Sequence, residues 1–361
     1  MSRILQELKH KPIFWLLALA PVVIVAGHAV PQKHTLLFVL SVVAIVPLAA
    51  LLSHATESVA AKTGDTVGGL LNASLGNLTE LVIALTALRL GMIDLVKASI
   101  AGAVVANLLF MLGASFLLGG LRHHVQEYNP AAARLQVAML LLGTVTLLVP
   151  SALADAGHLR ETGYLQELSV GLSILLIASY ALGLFFSLGT HRDVFGSKAH
   201  QDVDETPWPM PVALGALAVA TVLIAMVSHV FVNSVQHAAE QLGMSPAFVG
   251  FVVVALVGGA AESVTAFAAA RKNRLDMSVG IAIGSATQIA LFVAPVLVLA
   301  SHFIGPAPMD LAFGSAQVVA VFIAMFTVSM LANSGRSGWY TGVQLLAVYL
   351  VFAITLYLLP S

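Results

Sequence analysis

The sequence predicts an all-α, polytopic membrane protein of about eleven transmembrane helices: an N-terminal helix followed by two five-helix repeats of inverted topology. Three observations carry this expectation. The 361 residues are 59% hydrophobic and 9% charged, far below the roughly 25% charge of a soluble domain. Apolar runs of about 20 residues, the length that crosses a bilayer as helix, recur from end to end. The chain also echoes itself around two acids set in apolar stretches, GNLTELVIAL at 76–85 and GGAAESVTAF at 258–267.

Gly, Pro and charge clusters bound the spans near 13–30, 35–60, 66–88, 92–118, 131–153, 164–189, 210–240, 246–270, 275–304, 309–333 and 338–359. The first begins with basic residues like a signal peptide. No small-x-small cleavage site precedes a soluble domain, so it reads as a retained span. The seventh is overlong and is accommodated by tilt or an interfacial extension. The one sizeable loop, HRDVFGSKAHQDVDETPWP, is polar and acidic and links two halves. The organisation is then an N-terminal helix at 1–34, a first repeat at 35–190, an acidic cytoplasmic linker at 191–209 and a second repeat at 210–361. With the N-terminus in the cytoplasm, twelve of the sixteen Lys and Arg residues fall on the cytoplasmic side; Lys33, Arg89, Lys97 and Arg160 remain outside. That bias supports an odd number of spans and an external C-terminus.

A net charge of −1 with no basic face gives nucleic-acid binding no support. The lipid bilayer is the partner that composition implies. The absence of cysteine excludes disulfides, thiolate metal sites and cysteine nucleophiles.

Aligned against itself with a shift of 182, the stretch 76–110 shows ten identities in 35 positions. They include Gly76/Gly258, Glu80/Glu262, Arg89/Arg271, Asp94/Asp276 and Gly102/Gly284. A second echo, HATE at 54–57 and HAAE at 237–240, lies upstream at a shift of 183. Five spans per unit is an odd number, so the second copy must enter the membrane from the opposite side. Inverted repeats of this kind place a substrate site near the midplane where the copies meet. The pseudo-twofold then sets Glu80 opposite Glu262.

A carboxylate at mid-bilayer is expensive and by default functional. A lone one is also explained by a protonated acid hydrogen-bonded to a neighbouring helix, but two acids related by a repeat are not. Facing carboxylates suit a hard divalent cation with oxygen ligands, such as calcium, whose charge they would neutralise. Emptied of the ion and out of water, such a pair is neutralised by protons instead. One site that holds either a divalent cation or protons is the chemistry of an antiporter. Asn77 and the Gly76 break can add oxygens beside Glu80. Asn107, Ser285 and Gln288 lie in the helix after each acid; helix–helix hydrogen bonding is the alternative role for each amide. His54, Glu57, His237 and Glu240 form two HxxE pairs, read either as relay or gating groups or as ordinary interfacial helix ends. Arg89/Arg271 and Asp94/Asp276 flank turns, as topological anchors and caps.

The stretches from GNLTELVIAL to MLGASFLLGG and from GGAAESVTAF to LFVAPVLVL resemble the two signature repeats of the calcium/proton exchangers, the CAX branch of the calcium/cation antiporter superfamily. The likeness extends through QEYNPAAARLQ and FFSLGTHRDVF. It implies eleven helices in two inverted five-helix repeats, and Ca2+ and protons as transported ions with no resident cofactor. It also implies that Glu80 and Glu262 alternate between calcium and protons, with Asn107 and Gln288 at the polar positions of the following helices. Alternating access would come from sliding of the second and seventh spans. One departure is visible: the family's second repeat usually reads GNAAE, and here Gly259 stands where that Asn is expected.

Sodium/calcium exchangers of the same superfamily and potassium- or sodium-proton antiporters are the near alternatives. The neighbours Ala106, Asn107, Gln288 and Ile289 offer few extra acids or hydroxyls for separate sodium sites, which favours protons. An intramembrane hydrolase is disfavoured: no HExxH string occurs, and Ser53 and His54 point apart on a helix. The expected setting is a prokaryotic inner or plasma membrane, with a homo-oligomer left open.

Overall fold

The computed structural model describes residues 12–63, 68, 71–72, 74–155, 163–190 and 207–358. Most of the acidic linker, and the basic residues Arg3, Lys9, Lys11, Arg160, Arg192 and Lys198, lie outside these.

The apolar stretches are helical over most of their described residues; turns interrupt the third at 76–77 and the eighth at Gly259, and the tenth is non-helical over 309–314. A 3-10 turn at Pro12–Ala18 leads into α1 (Leu19–Ala29), followed by α2 (His34–Lys62) and then α3 (Leu78–Arg89), which restarts after a turn at residues 76–77. Next come α4 (Ile93–His123), α5 (Pro130–Asp155), α6 (Tyr164–Thr190) and α7 (Met210–Gln241). The helices α8 (Pro246–Gly258) and α9 (Ala260–Arg271) form a pair bent by 60°, and α10 (Leu275–Ile304), α11 (Ser315–Leu331) and α12 (Trp339–Leu358) complete the chain. Among the described residues, seven helices are long and apolar enough to cross a membrane, and the bent pair makes an eighth.

Side-chain contacts define two ends of the bundle. At one end, Gly91 meets Pro306, and Lys97 donates to Asp310 (2.5 Å) and to the Ala312 carbonyl (2.8 Å). The α10–α11 connection is pinned there by hydroxyls: Leu311 N–H donates to Ser169, and Phe313 N–H to Ser151. At the other end, strands β1 (Val125–Glu127) and β2 (Arg336–Gly338) pair antiparallel, and Gln126 donates to the Ala270 carbonyl and to Asn273. Arg89, at the first end, and Arg271, at the second, close α3 and α9, where a cation complements the helix dipole. Asp94 and Asp276 occupy first-turn positions of α4 and α10 and do not act as side-chain caps; Asp276 instead accepts the Asn129 N–H.

The overlong seventh stretch is one helix of 32 residues, about 48 Å at 1.5 Å per residue. It runs antiparallel to α2 along most of its length. The rings of His34 and His237 stack at 4.3 Å, Phe38 and Phe231 at 5.5 Å, and Thr35 bonds Gln241. At the far end His54 packs edge-on against Trp208, whose N–H donates to Ser58.

The centre of the bundle is built from α4 and α10, most of whose residues are buried: Leu108, Leu109, Leu112 and Leu291 have no more than 1% exposure. Each of these helices widens into a π-helical segment at mid-length, Ala106–Met111 in α4 and Ile289–Val293 in α10. Such widenings in a membrane helix redirect side chains and loosen the backbone ladder, and they recur at functional sites. Gly102 allows α4 to lie directly on the α8 backbone, because a Cβ there would collide with Phe251.

Candidate functional site

Two helices are interrupted at matching places. Before α3 the chain turns at Gly76 and Asn77, and between α8 and α9 it turns at Gly259. The backbone at the two pivots is nearly the same, φ −94° and ψ 30° at Asn77 against φ −81° and ψ 10° at Gly259. In each case an acid is the third residue of the restarted helix, Glu80 in α3 and Glu262 in α9. That position places a carboxylate among free N–H groups at the positive end of the helix dipole.

Each acid packs on the break of the other half. A Cβ on Gly258 would sit 2.8 Å from Glu80 Cγ and 3.5 Å from its Oε1, so only glycine leaves room for that side chain. Reciprocally, a Cβ on Gly76 would sit 3.4 Å from Gln288 Oε1 and 3.8 Å from Glu262 Oε1. The carboxyls are within electrostatic reach of each other.

A hydrogen-bonded chain ties the two halves together. Asn107 Nδ2 on α4 donates to Ser285 Oγ on α10 at 2.8 Å, and Ser285 Oγ donates to Asn77 Oδ1 at 2.8 Å. Around this chain lie buried polar atoms with no hydrogen-bond partner: Glu80 Oε1, Glu262 Oε2, Asn77 Nδ2 and Gln288 Nε2. Buried polar atoms are rarely left in that condition, and a converging group of them is what a bound ion or ordered water would satisfy. Among the described residues no three His, Asp or Glu side chains converge. The other polar groups beside the two acids are amides, a hydroxyl and the backbone of the breaks.

The structure thus brings together Glu80, Glu262, Asn77, Asn107, Ser285, Gln288 and Gly259. The HxxE residues stand apart. His54 and Glu57 lie near the Lys62 end of α2, with Ser53 donating to Glu57 at 3.2 Å. His237 and Glu240 are exposed at the Gln241 end of α7, beside His34. Twenty residues of α2 separate His34 from His54, about 30 Å of helix, so the two pairs occupy opposite ends of the α2–α7 pair.

Two features escaped sequence reasoning. In the sequence Gly258 is only a repeat identity, although its lack of a side chain makes room for Glu80; the pairing Gly76/Gly258 is the available signal. A narrow crevice of about 20 Å3 also reaches Glu80, walled by Ile83, Ser99, Ile100, Val254 and Ile289. Its lining comes from four helices, and no linear pattern announces it.

An apolar helical bundle whose two broken helices carry reciprocal acids is the architecture of a cation antiporter, and the sequence comparisons agree. The family model described as sodium/calcium exchanger protein matches residues 33–189 and again residues 212–358. The chain belongs to this family, the calcium/cation antiporter superfamily, in its calcium/proton exchanger branch. It is 39% identical over 352 residues to the Ca2+/H+ antiporter of Synechocystis sp. (strain ATCC 27184 / PCC 6803 / Kazusa), covering 93% of this chain and 94% of that one. It is likewise 39% identical over 351 residues to the Ca2+/H+ antiporter ChaA of Bacillus subtilis (strain 168), covering 96% and 99%. Among solved structures, native YfkE superposes with a TM-score of 0.82 at 36% identity, over 96% of this chain and 100% of that one. The H+/Ca2+ exchanger CAX shares the fold, with a TM-score of 0.71 at 16% identity over 96% and 88% of the two chains.

Proposed function

We propose that the protein is a secondary antiporter that exchanges cytosolic Ca2+ for protons at a midplane site formed by Glu80 and Glu262. The observation that carries the reading is the reciprocal packing: each acid rests on the helix break of the other half and keeps one buried oxygen unpartnered. Two such carboxylates supply the charge that calcium requires, and Asn77, Asn107, Ser285 and Gln288 supply neutral oxygens around them. The amides and the hydroxyl can rotate to present oxygen, while the breaks expose backbone carbonyls. When calcium leaves, the two acids face each other in a buried site, and protons neutralise them. Occupancy by one cargo expels the other, which is the condition for coupled exchange.

The twofold match of one family model, once in each half, supports reading 35–190 and 210–361 as two repeats after an N-terminal helix at 1–34, joined by the linker at 191–209. The contacts at the two ends of the bundle fit eleven spans with inverted repeats, the N-terminus in the cytoplasm and the C-terminus outside. On that reading the crevice to Glu80 opens toward the outside, the side of Arg89 and Lys97. The long α2–α7 pair, held by ring stacking and apolar contact, is the element that slides to close one side and open the other. The names of the relatives favour calcium and protons over sodium/calcium exchange.

The test uses everted membrane vesicles with a preformed proton gradient. Calcium addition is expected to dissipate the gradient, and sodium or potassium to leave it standing. Dissipation by potassium or sodium but not by calcium would overturn the substrate assignment.

A further inference from the structure

The two halves of the site are unequal at one position, and it is Gly259. Its counterpart in the first half is Asn77, whose side chain joins the hydrogen-bonded chain through Ser285. Nothing in the backbone asks for glycine at 259. Its φ of −81° is open to any residue, and Asn77 adopts nearly the same angles. Nothing in the packing asks for it either. A Cβ would lie 3.5 Å from the Ala255 carbonyl oxygen, 3.5 Å from Asn107 Oδ1 and 3.6 Å from Glu80 Oε1, all ordinary contact distances. The adjacent Gly258 is different, since a Cβ there would press to 2.8 Å on Glu80 Cγ.

A side chain at 259 would therefore point at two acceptor oxygens of the site, one of them the unpartnered oxygen of Glu80. Asn107 turns its Oδ1 to this corner while its Nδ2 is held by Ser285. An amide at 259 matching Asn77 would add a further side-chain oxygen beside Glu80, and Gly259 leaves that one out. Selectivity among hard cations is set by ligand number, cavity size and flexibility.

We propose that Gly259 is a selectivity-determining position. Its missing side chain leaves a coordination place beside Glu80 to water, so the site accepts cations larger than calcium, such as Sr2+, with little discrimination. This inference rests on the exchange reading above and specifies the ions that the same site takes.

The experiment compares initial rates of Sr2+- and Ca2+-driven proton movement in vesicles carrying the full-length parent, Gly259→Asn, Gly259→Ser or Gly259→Ala. The parent is expected to use both ions at comparable rates. Gly259→Asn, which restores an amide oxygen, is expected to lower the Sr2+/Ca2+ ratio roughly fivefold. Gly259→Ala adds volume without an oxygen and is expected to move the ratio less than about twofold. Should Gly259→Asn fail to reach the membrane, Gly259→Ser, which also adds an oxygen, is expected to lower the ratio in the same direction and decides the matter. An unchanged ratio in an active oxygen-bearing variant, or an equal shift in Gly259→Ala, overturns the inference while leaving exchange intact. A parent that moves no protons with either ion defeats the exchange reading itself.

Discussion

Glu262→Gln is expected to abolish calcium-driven proton movement, with a loss of about 100-fold or more in initial rate, the scale expected when a metal loses one of two charged ligands. Glu80→Gln is expected to do the same. Gln fills nearly the same volume, so neither substitution opens a cavity. It also removes a charge that is costly at this depth, and the folded protein should be as stable as the parent or more so. The assay is the vesicle measurement, paired with size-exclusion elution and thermal unfolding in detergent to show that both variants fold. Normal exchange by Glu262→Gln would break the shared-site reading, because the two acids are argued to act only together. Equal defects from acids 182 positions apart would be hard to explain if each served its own helix.

Gly258→Ala is expected to reduce exchange by roughly tenfold or more, since overpacking of this kind shifts backbone or side chains at a cost of ~1–3 kcal/mol. The new Cβ would lie 2.8 Å from Glu80 Cγ, an atom near the root of the side chain. Glu80 cannot yield by swinging its tip, so either the carboxyl leaves its place or α8 moves away from α3. The neighbouring Gly259→Ala meets nothing closer than 3.5 Å and should not reproduce the defect. Two adjacent glycines thus have opposite tolerances, and the rate ratio between the two alanine variants reads this directly. Equal rates would mean that Glu80 does not rest on the second break.

The two acids were legible in the sequence because scarcity made them so, while of the two helix breaks only the one at Gly76 carried a signal. In a chain with 9% charged residues, a Glu in an apolar run repeated at 182 positions has few bland explanations. Most of the helix bounds were legible for a related reason: a span must satisfy its own backbone, so hydropathy and helicity coincide; the helix of the tenth span begins at Ser315, later than the expected 309, and that of the third restarts at Leu78. Other features were written in three dimensions only. Ser285 was read as a polar residue one helix beyond Glu262; its position as the link between Asn107 and Asn77 depends on how α4 and α10 cross. The π-helical segments at Ala106–Met111 and Ile289–Val293 leave no composition signal, since their letters are those of any apolar helix. The HxxE strings looked equivalent in sequence, yet the antiparallel packing of α2 on α7 sends them to opposite ends.

The central claim is that calcium and protons compete for one pair of acids, and calcium binding by the purified protein at several pH values tests it most directly. Protons occupy the carboxyls at low pH and must leave before calcium can enter. Calcium affinity is therefore expected to weaken steadily as pH falls, and each calcium bound in lightly buffered solution should release protons. The Glu80→Gln and Glu262→Gln variants should lose both the binding and the release. Calcium affinity that holds constant with pH, with no proton released on binding, would contradict a shared site.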